Sequence, residues 1–187
     1  QAGIIRAHSM TELFELAIAF TRCPIPAGDR VAIVTNSGGP GIIATDNVEL
    51  KGLKMAQFEE STIQALRENL PRECNIYNPV DVLGDARTDR YKYALTKVLE
   101  DPNVDSVLVL MCPTAVTEPV DTSKAIVEVH KAHPEKPIFT AYMGGPILAE
   151  GASISASNGI PTFTFPETCI TCLDAMSRYR KFLDSQQ

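Results

Sequence analysis

The sequence predicts an α/β fold: a doubly wound, mainly parallel sheet of five strands in the order 2-1-3-4-5, with helices on both faces. Three observations predict it. Val31–Val34 and Ser106–Met111 are short apolar runs without polar alternation, the pattern of strands covered on both faces. Stretches with helical spacing separate these runs from weaker strand-like segments, and strands alternating with helices of about ten residues or more imply parallel βαβ units. Finally, Gly38-Gly39-Pro40-Gly41 follows the first strand and leads into a helix, the junction at which such folds bind ligands.

Taken in order, Ser9-Met-Thr-Glu12 fits a capping box, and Leu13, Leu16, Ala17 and Phe20 follow at helical spacing, so residues 9–21 are expected to be helical. Two prolines and a glycine in Cys23-Pro-Ile-Pro-Ala-Gly28 then break regular structure. This sets an expected boundary between residues 1–27, an N-terminal helix and linker, and residues 28–187, the main domain. After the first strand, Ile42, Ile43 and Leu50 give a helix its apolar face, and Gly52 stops it near Lys51. Leu53–Phe58 reads as the second strand. Ser61-Thr-Ile-Gln64 offers another capping box, before a helix with Ile63, Leu66 and Leu70 on one face and Pro71 beyond its end.

Residues 71–87 show no sustained helical period, and so long a connection in a compact domain is often functional. The stretch reads as a binding loop with a short strand at Val80–Leu83. Thr88 suits the cap of a helix carrying Tyr91, Leu95, Val98 and Leu99, closed by Pro102. Ser106–Met111 is the third strand of the rhythm, and Cys112–Pro119 leads into a helix over 120–132. Pro137–Tyr142 is the fourth strand, Met143-Gly-Gly-Pro146 a turn into a helix ending near Ser157, and Gly159–Phe163 the fifth strand. Pro166 opens the terminal helix, which runs to about Leu183.

With 187 residues the chain suits one domain with a lead-in. A hydrophobic fraction of 44% and a charged fraction of 21% are those of an ordinary globular protein. The net charge of −6 argues against nucleic acid or an anionic membrane as the main partner, since phosphate-backbone binding needs a cationic face. No apolar run reaches the roughly 20 residues of a membrane span and no signal peptide opens the chain, so a cytoplasmic location is expected. The opening Gln1-Ala-Gly-Ile carries no cap or loop signature, as expected of a piece cut from a longer polypeptide. Five cysteines, an odd number, point to free thiols. Cys169-Ile-Thr-Cys172 has metal or redox spacing, but it lacks a second ligand pair, and His8, His130 and His133 are not suitably spaced. A core role within an amphipathic helix is the expected one, with no metal ligands in the chain.

The order 2-1-3-4-5 is that of flavodoxin-like folds, and it places the switch point between the first and third strands. The loops there are Thr35–Gly41 and Cys112–Thr117. Glycine permits close approach at a helix N-terminus, where unpaired N–H groups attract an anion, and Asn36 and Ser37 add side-chain donors. Thr114 and Ala115 are expected to present backbone N–H groups from a second, facing helix terminus. Asp81 and Asp85 have two readings, holding a cation or a partner side chain, or stabilising turns. Gly39-Pro-Gly41-Ile-Ile-Ala44 also matches the dinucleotide pattern G-x-G-x-x-A, with Glu59 as the ribose ligand, although Thr35–Gly38 make the turn long for it. A flavin would find mainly Tyr77 or Tyr142 as ring partners, and a phosphorelay receiver needs acids where Thr35 and Asn36 stand. A tight strand-to-helix turn without a ligand is the remaining alternative.

Four segments carry a resemblance: Gln1-Ala-Gly, Glu12-Leu-Phe-Glu-Leu-Ala17, Arg30-Val-Ala-Ile-Val-Thr-Asn-Ser-Gly-Gly-Pro-Gly41 and Asn78-Pro-Val-Asp-Val-Leu-Gly-Asp-Ala86. Together they resemble the nucleoside-diphosphate-forming acyl-CoA synthetases of the acetate–CoA ligase (ADP-forming) type, over nearly the whole chain. The resemblance implies a flavodoxin-like ligase domain similar to the C-terminal domain of the succinyl-CoA synthetase beta subunit. For the whole enzyme it implies reversible conversion of acyl-CoA, phosphate and ADP into acid, CoA and ATP. An acyl phosphate forms, and a phosphohistidine carries the phosphoryl group to an ATP-grasp domain.

By the same resemblance, Asn36, Ser37, Gly38, Gly39 and Gly41, with the backbone at Thr114, Ala115 and Val116, cradle the acid or phosphoryl group, and Asn78 and Asp81 join them from the second matching loop. The phosphohistidine lies in a Ser-His-Thr-Gly context that no histidine of this chain has, so the chain is expected to hold no catalytic residue and to be inactive alone. ATP or ADP, Mg and CoA belong to the full enzyme, none of them to this domain alone. Its implied partners are a phosphohistidine-bearing CoA-ligase domain and an ATP-grasp domain or subunit. The same domains also occur as regulatory modules of protein lysine acetyltransferases, which is the alternative function.

Overall fold

The structure is a computed structural model and describes residues 3–186. Gln1 and Ala2, which contribute to the resemblance, lie outside the described residues. Helix α1 (Met10–Arg22) precedes β1 (Arg30–Thr35), α2 (Gly38–Leu50), β2 (Lys54–Met55), α3 (Glu60–Asn69) and β3 (Val80–Asp81). There follow α4 (Thr88–Glu100), β4 (Ser106–Met111), α5 (Pro119–Ala132), β5 (Ile138–Tyr142), a 3-10 turn (Gly145–Leu148), α6 (Ala149–Ser157), β6 (Thr162–Phe163) and α7 (Pro166–Asp184).

The ladders between these strands are parallel, with one isolated antiparallel bridge from Asn75 to Asp81, and the main path runs β2-β1-β4-β5-β6, with β3 also paired to β1. Without β3 this is the expected order 2-1-3-4-5. The inner strands alternate between two cores, as a pleated sheet requires. Ala32, Val34, Val107, Val109, Met111 and Ile138 face a cluster built with α3, α4 and α5. Val31, Ile33, Leu108, Leu110, Phe139 and Ala141 face another built with α1, α2 and α7. Leu16 and Ala19 bring α1 into the second cluster, so the helix before the Pro-Gly break packs with the sheet.

One side of β1 is shared by two strands placed end to end. Arg30 and Val31 pair with Lys54 and Met55 of β2, whereas Val34 and Thr35 pair with Val80 and Asp81 of β3. Asn78 bridges the gap: its Oδ1 accepts from Ile33 N (2.9 Å), and its Nδ2 donates to Val31 O (2.8 Å) and Ala56 O (3.1 Å). A side-chain amide carries the same donor and acceptor as a peptide unit, so it continues the ladder where backbone is missing. The second strand is accordingly two residues long, not the expected Leu53–Phe58.

Helix boundaries show where tertiary contacts override local signals. Ser9 caps α1 by accepting from Glu12 N (3.1 Å), while the Glu12 carboxylate accepts from His8 N (2.6 Å) in place of the Ser9 amide. The Ser61 box does not form, because buried Asp101 accepts from Glu59 N (2.8 Å) and starts α3 at Glu60. Thr88 lies inside α4, its hydroxyl bonded to Glu118 Oε2 (3.1 Å) and Thr122 Oγ1 (3.1 Å), and Arg87 takes the cap position. At the end of α2, Gly52 adopts φ +75°. There Leu53 N bonds Val48 O (3.0 Å) and Gly52 N bonds Glu49 O (2.9 Å), the paired closure that a left-handed glycine permits.

Cys169 and Cys172 are free thiols on the buried face of α7, so the two-residue spacing serves packing. Burial pushes the Cys172 and Cys23 thiols up to about 12 from a usual 9.0. Between these values the unfolded chain has released the protons and the folded chain retains them, so stability is intact below pH 9 and falls as pH rises towards 12. The expected slope is about 1.4 kcal/mol per pH unit for each thiol. Urea unfolding under reductant at rising pH checks it, and Cys172→Ala should lower the slope by one thiol's share. Among the described residues no helix is long and apolar enough to cross a membrane.

Candidate functional site

The candidate site lies where the chain leaves β1, β3 and β4 at their carboxyl ends. After Thr35 only Asn36 and Ser37 precede α2, so Gly38, Gly39 and Gly41 belong to the first turn of the helix and not to the turn before it. Thr35 makes so short a turn possible: its Oγ1 accepts from Ser37 N (3.0 Å) and donates to Ser37 O (2.9 Å). This differs from the dinucleotide arrangement, in which the first glycine makes the turn. The first N–H groups of a helix have no intrahelical acceptor, so Gly38 and Gly39 present theirs at the positive end of α2, and Pro40 has none to present.

Each glycine has its own surroundings. A Cβ on Gly41 would come within 3.2 Å of Thr35 Cγ2, which explains glycine there by helix-to-strand packing. A Cβ on Gly39 would meet nothing within 4 Å, so glycine at that position leaves a path to the helix end that the fold itself does not need. At Gly38 the nearest atom would be Asp81 Oδ2 at 3.4 Å, which places a carboxylate beside the helix terminus.

Asn36 is buried and clasps Cys112 from both sides, donating from Nδ2 to Cys112 O (2.8 Å) and accepting at Oδ1 from Cys112 N (2.9 Å). It joins the two loops of the switch point. Tyr91 supports the clasp from below: its ring is buried in α4, its hydroxyl donates to Leu110 O (2.8 Å), and the Asn36 backbone amide lies against it. Burial raises its phenol well above the usual range, so it stays neutral. Burial likewise raises the Cys112 thiol, with a hydrogen bond from the Ser37 side chain acting in the opposite sense.

The facing loop differs from its expected form. Helix α5 begins at Pro119, one residue before its expected start, and Thr114, Ala115 and Val116 form a turn ahead of it and not its first turn. Thr117 Oγ1 accepts from Thr114 N (2.8 Å) and bonds Thr114 Oγ1 (2.8 Å), and Val116 N bonds Thr114 Oγ1 (3.4 Å). Of the three amides proposed for an anion, Thr114 and Val116 are thus closed on the turn. Glu118 occupies the cap of α5 and binds Arg87 (3.1 Å) and Thr88. The N-terminus of α2 has no side-chain cap.

The third loop packs over both. A Cβ on Gly84 would lie 3.6 Å from Thr114 Cγ2 and 3.8 Å from Asn36 O. Asp81 Oδ1 accepts from Leu83 N (2.9 Å), a turn in which Leu83 takes φ 70°. Asp85 pairs with Arg90 (2.5 Å), which also donates to Val82 O (2.8 Å). Among the described residues no group of three His, Cys, Asp or Glu side chains is placed to hold a metal ion. Asn36, Ser37, Gly38, Gly39, Asp81 and Thr114 therefore come together, while Asn78 is built into the sheet below them. Glu59 caps α3, and Tyr142 is buried with its hydroxyl bonded to Ser123 (2.6 Å) and Ser155 (2.8 Å), so it presents no face to a ring.

Sequence reasoning missed Thr35, Tyr91 and Thr117. The available signal was a tyrosine at an inward position of α4, since a buried hydroxyl needs a partner.

The Ligase-CoA domain family profile matches residues 31–184. The chain is 37% identical over 185 residues to the acetate–CoA ligase (ADP-forming) II subunit alpha of Pyrococcus furiosus, covering 97% of this chain and 40% of that protein. It is 35% identical to the 4-hydroxybutyrate–CoA ligase (ADP-forming) of Nitrosopumilus maritimus, covering 99% of this chain and 26% of that protein. Among solved structures, the dinucleotide-forming acetyl-coenzyme A synthetase 1 of Ca. Korarchaeum cryptofilum, in complex with phosphate and ADP, superposes with a TM-score of 0.89 at 33% identity, over 98% of this chain and 40% of that one. The chain thus spans two-fifths or less of these relatives.

Proposed function

Because the chain belongs to the Ligase-CoA domain family, we propose that it is the part of an ADP-forming acyl-CoA ligase that receives the acid or phosphoryl group at the crest of its sheet. The full enzyme would interconvert acyl-CoA, phosphate and ADP with acid, CoA and ATP, in the cytoplasm. The observation that supports this reading is the uncapped N-terminus of α2, open at Gly39 and lying at the switch point beside β4.

In this reading the Gly38 and Gly39 amides donate to oxygens of the transferring phosphoryl group, whose reaction depends on positioning and charge stabilisation. Asn36 holds the crest together and acts through Cys112. Asp81, with one oxygen bonded to Leu83 N and the other beside Gly38, orients an N–H donor such as the imidazole of the phosphohistidine-bearing domain. That domain and an ATP-grasp domain are the proposed partners. The ion and the nucleotide of the reaction are assigned, in this proposal, to the ATP-grasp domain.

Gly39→Val tests the cradle with little risk to the fold, because the added side chain enters open space. Phosphate affinity, followed by calorimetry, should fall tenfold or more, while the urea midpoint stays within the small range usual for surface changes. Unchanged phosphate affinity would remove the cradle. Synthesis of acyl-CoA from acid, CoA and ATP by the chain alone would contradict the division of labour among domains.

A further inference from the structure

We propose that the cleft between the end of α3 and residues 71–77 binds a nucleotide, an organic phosphate bearing a flat aromatic ring, at a site separate from the crest. The cleft has a volume of about 430 Å³ and is lined by Arg67 of α3 and by Pro71, Arg72, Cys74, Asn75, Ile76 and Tyr77 of the following segment. That size is typical of small-molecule sites. None of its lining residues belongs to the crest loops.

The cations are available. Arg67 lies 3.9 Å from Glu60 with both side chains exposed, a pairing that water and salt weaken and that a phosphate displaces readily. Arg72, like Arg6 and Arg22, has no ion-pair partner among the described residues, whereas Arg30, Arg87, Arg90, Arg178 and Arg180 each have one. Two guanidinium groups on one cleft of a chain with net charge −6 form a local anion site, and their planar forks match phosphate oxygens.

The aromatic surface is equally particular. Tyr77 is 54% exposed, while Tyr91 and Tyr142 are buried. Its backbone is held on both sides: Tyr77 N donates to Asn75 Oδ1 (3.3 Å), Asn75 Nδ2 donates to Pro79 O (2.7 Å), and the next residue, Asn78, is fixed in the sheet. A ring on a fixed backbone loses little freedom when a base stacks on it. Ile76, packed against the core, adds an apolar wall.

The test uses the 187-residue chain with 15N-labelled amides, titrated separately with ADP, adenosine and inorganic pyrophosphate. ADP should shift the amides of residues 67–77 with a Kd of about 1 mM or tighter, and adenosine and pyrophosphate should each bind more weakly. Exchanging both arginines, Arg67→Gln with Arg72→Gln, should weaken ADP at least tenfold. Tyr77→Ala should weaken ADP about tenfold and leave pyrophosphate unchanged. All three side chains are exposed, and a dispersed amide spectrum verifies that each variant is folded. Gly39→Val should leave the ADP shifts at 67–77 intact, which separates this site from the crest. Absence of shifts in 67–77 at about 10 mM ADP would overturn the proposal. So would unchanged ADP affinity in the double arginine variant, or pyrophosphate binding as tightly as ADP.

Discussion

Asn78→Ala should lower the unfolding free energy by roughly 3–6 kcal/mol, the largest loss expected from any single side chain of the crest or its supports. The substitution removes one acceptor and two donor bonds at once: Ile33 N and Ala56 O lose their partner, while Val31 O keeps its bond from Ala56 N (2.9 Å), and all three lie on residues with little or no exposure. A buried backbone group without a partner costs about 1–3 kcal/mol, and the missing amide has no nearby substitute. Asn78→Asp should be intermediate, because a carboxylate still accepts from Ile33 N but meets two carbonyl oxygens where it should donate. Urea unfolding followed by circular dichroism measures both. A loss below about 1 kcal/mol for Asn78→Ala would mean that the two short strands do not depend on the bridge. Since domains of this size are stable by only about 5–15 kcal/mol, the variant should be studied at low temperature or in a stabilising osmolyte.

Asn36→Ala should have the second largest effect, combining a stability loss of about 2–4 kcal/mol with a tenfold or greater loss of phosphate affinity. It leaves Cys112 N without its partner and Cys112 O with only the longer bond from Thr117 Oγ1 (3.3 Å), and so unties the loop after β4 from the loop after β1. The two consequences separate by measurement. Calorimetric titration of phosphate, carried out well below the unfolding midpoint, reports the crest, while the midpoint itself reports the clasp. Gly39→Val should show the affinity loss without the stability loss, so the pair distinguishes a group that positions the crest from one that opens it. Equal phosphate affinity in both variants and the parent would remove the crest as an anion site.

The extent to which sequence disclosed this molecule depended on whether a feature is periodic. The strands at 31–34 and 106–111 and the helices with apolar stripes repeat at their own spacing, and the structure places them within a residue or two of expectation. Two-residue strands have no period to read, so β2 was expected too long. Asn78 matched a family motif and suggested a ligand-facing residue, whereas its bonds lie within the sheet, since a side chain replacing backbone leaves no pattern along the chain. The displaced caps at Ser61 and Thr88 depend on Asp101 and Glu118, which are remote in sequence and near in space. At the crest the glycines were legible as the start of the helix after β1, whereas the packing of Gly41 against Thr35 leaves no mark along the sequence. The helix after β4 begins within one residue of its expected start, but the amides ahead of it were misjudged, because the hydroxyl of Thr117 folds residues 114–116 into a turn.

The end-to-end strands beside β1 also bear on how this chain behaves among copies of itself. An exposed sheet margin invites pairing with another chain when it offers a long row of unsatisfied amides and carbonyls. Here one margin is divided between Lys54–Met55 and Val80–Asp81, with an asparagine side chain at the junction, and the other is Thr162–Phe163 alone. The long apolar strands β1, β4 and β5, those with the greatest aggregation potential, all lie inside these short margins. Removing the Asn78 amide should therefore do more than weaken the fold: it should loosen the cover over the middle of β1 and raise the tendency to self-associate, which light scattering on Asn78→Ala measures.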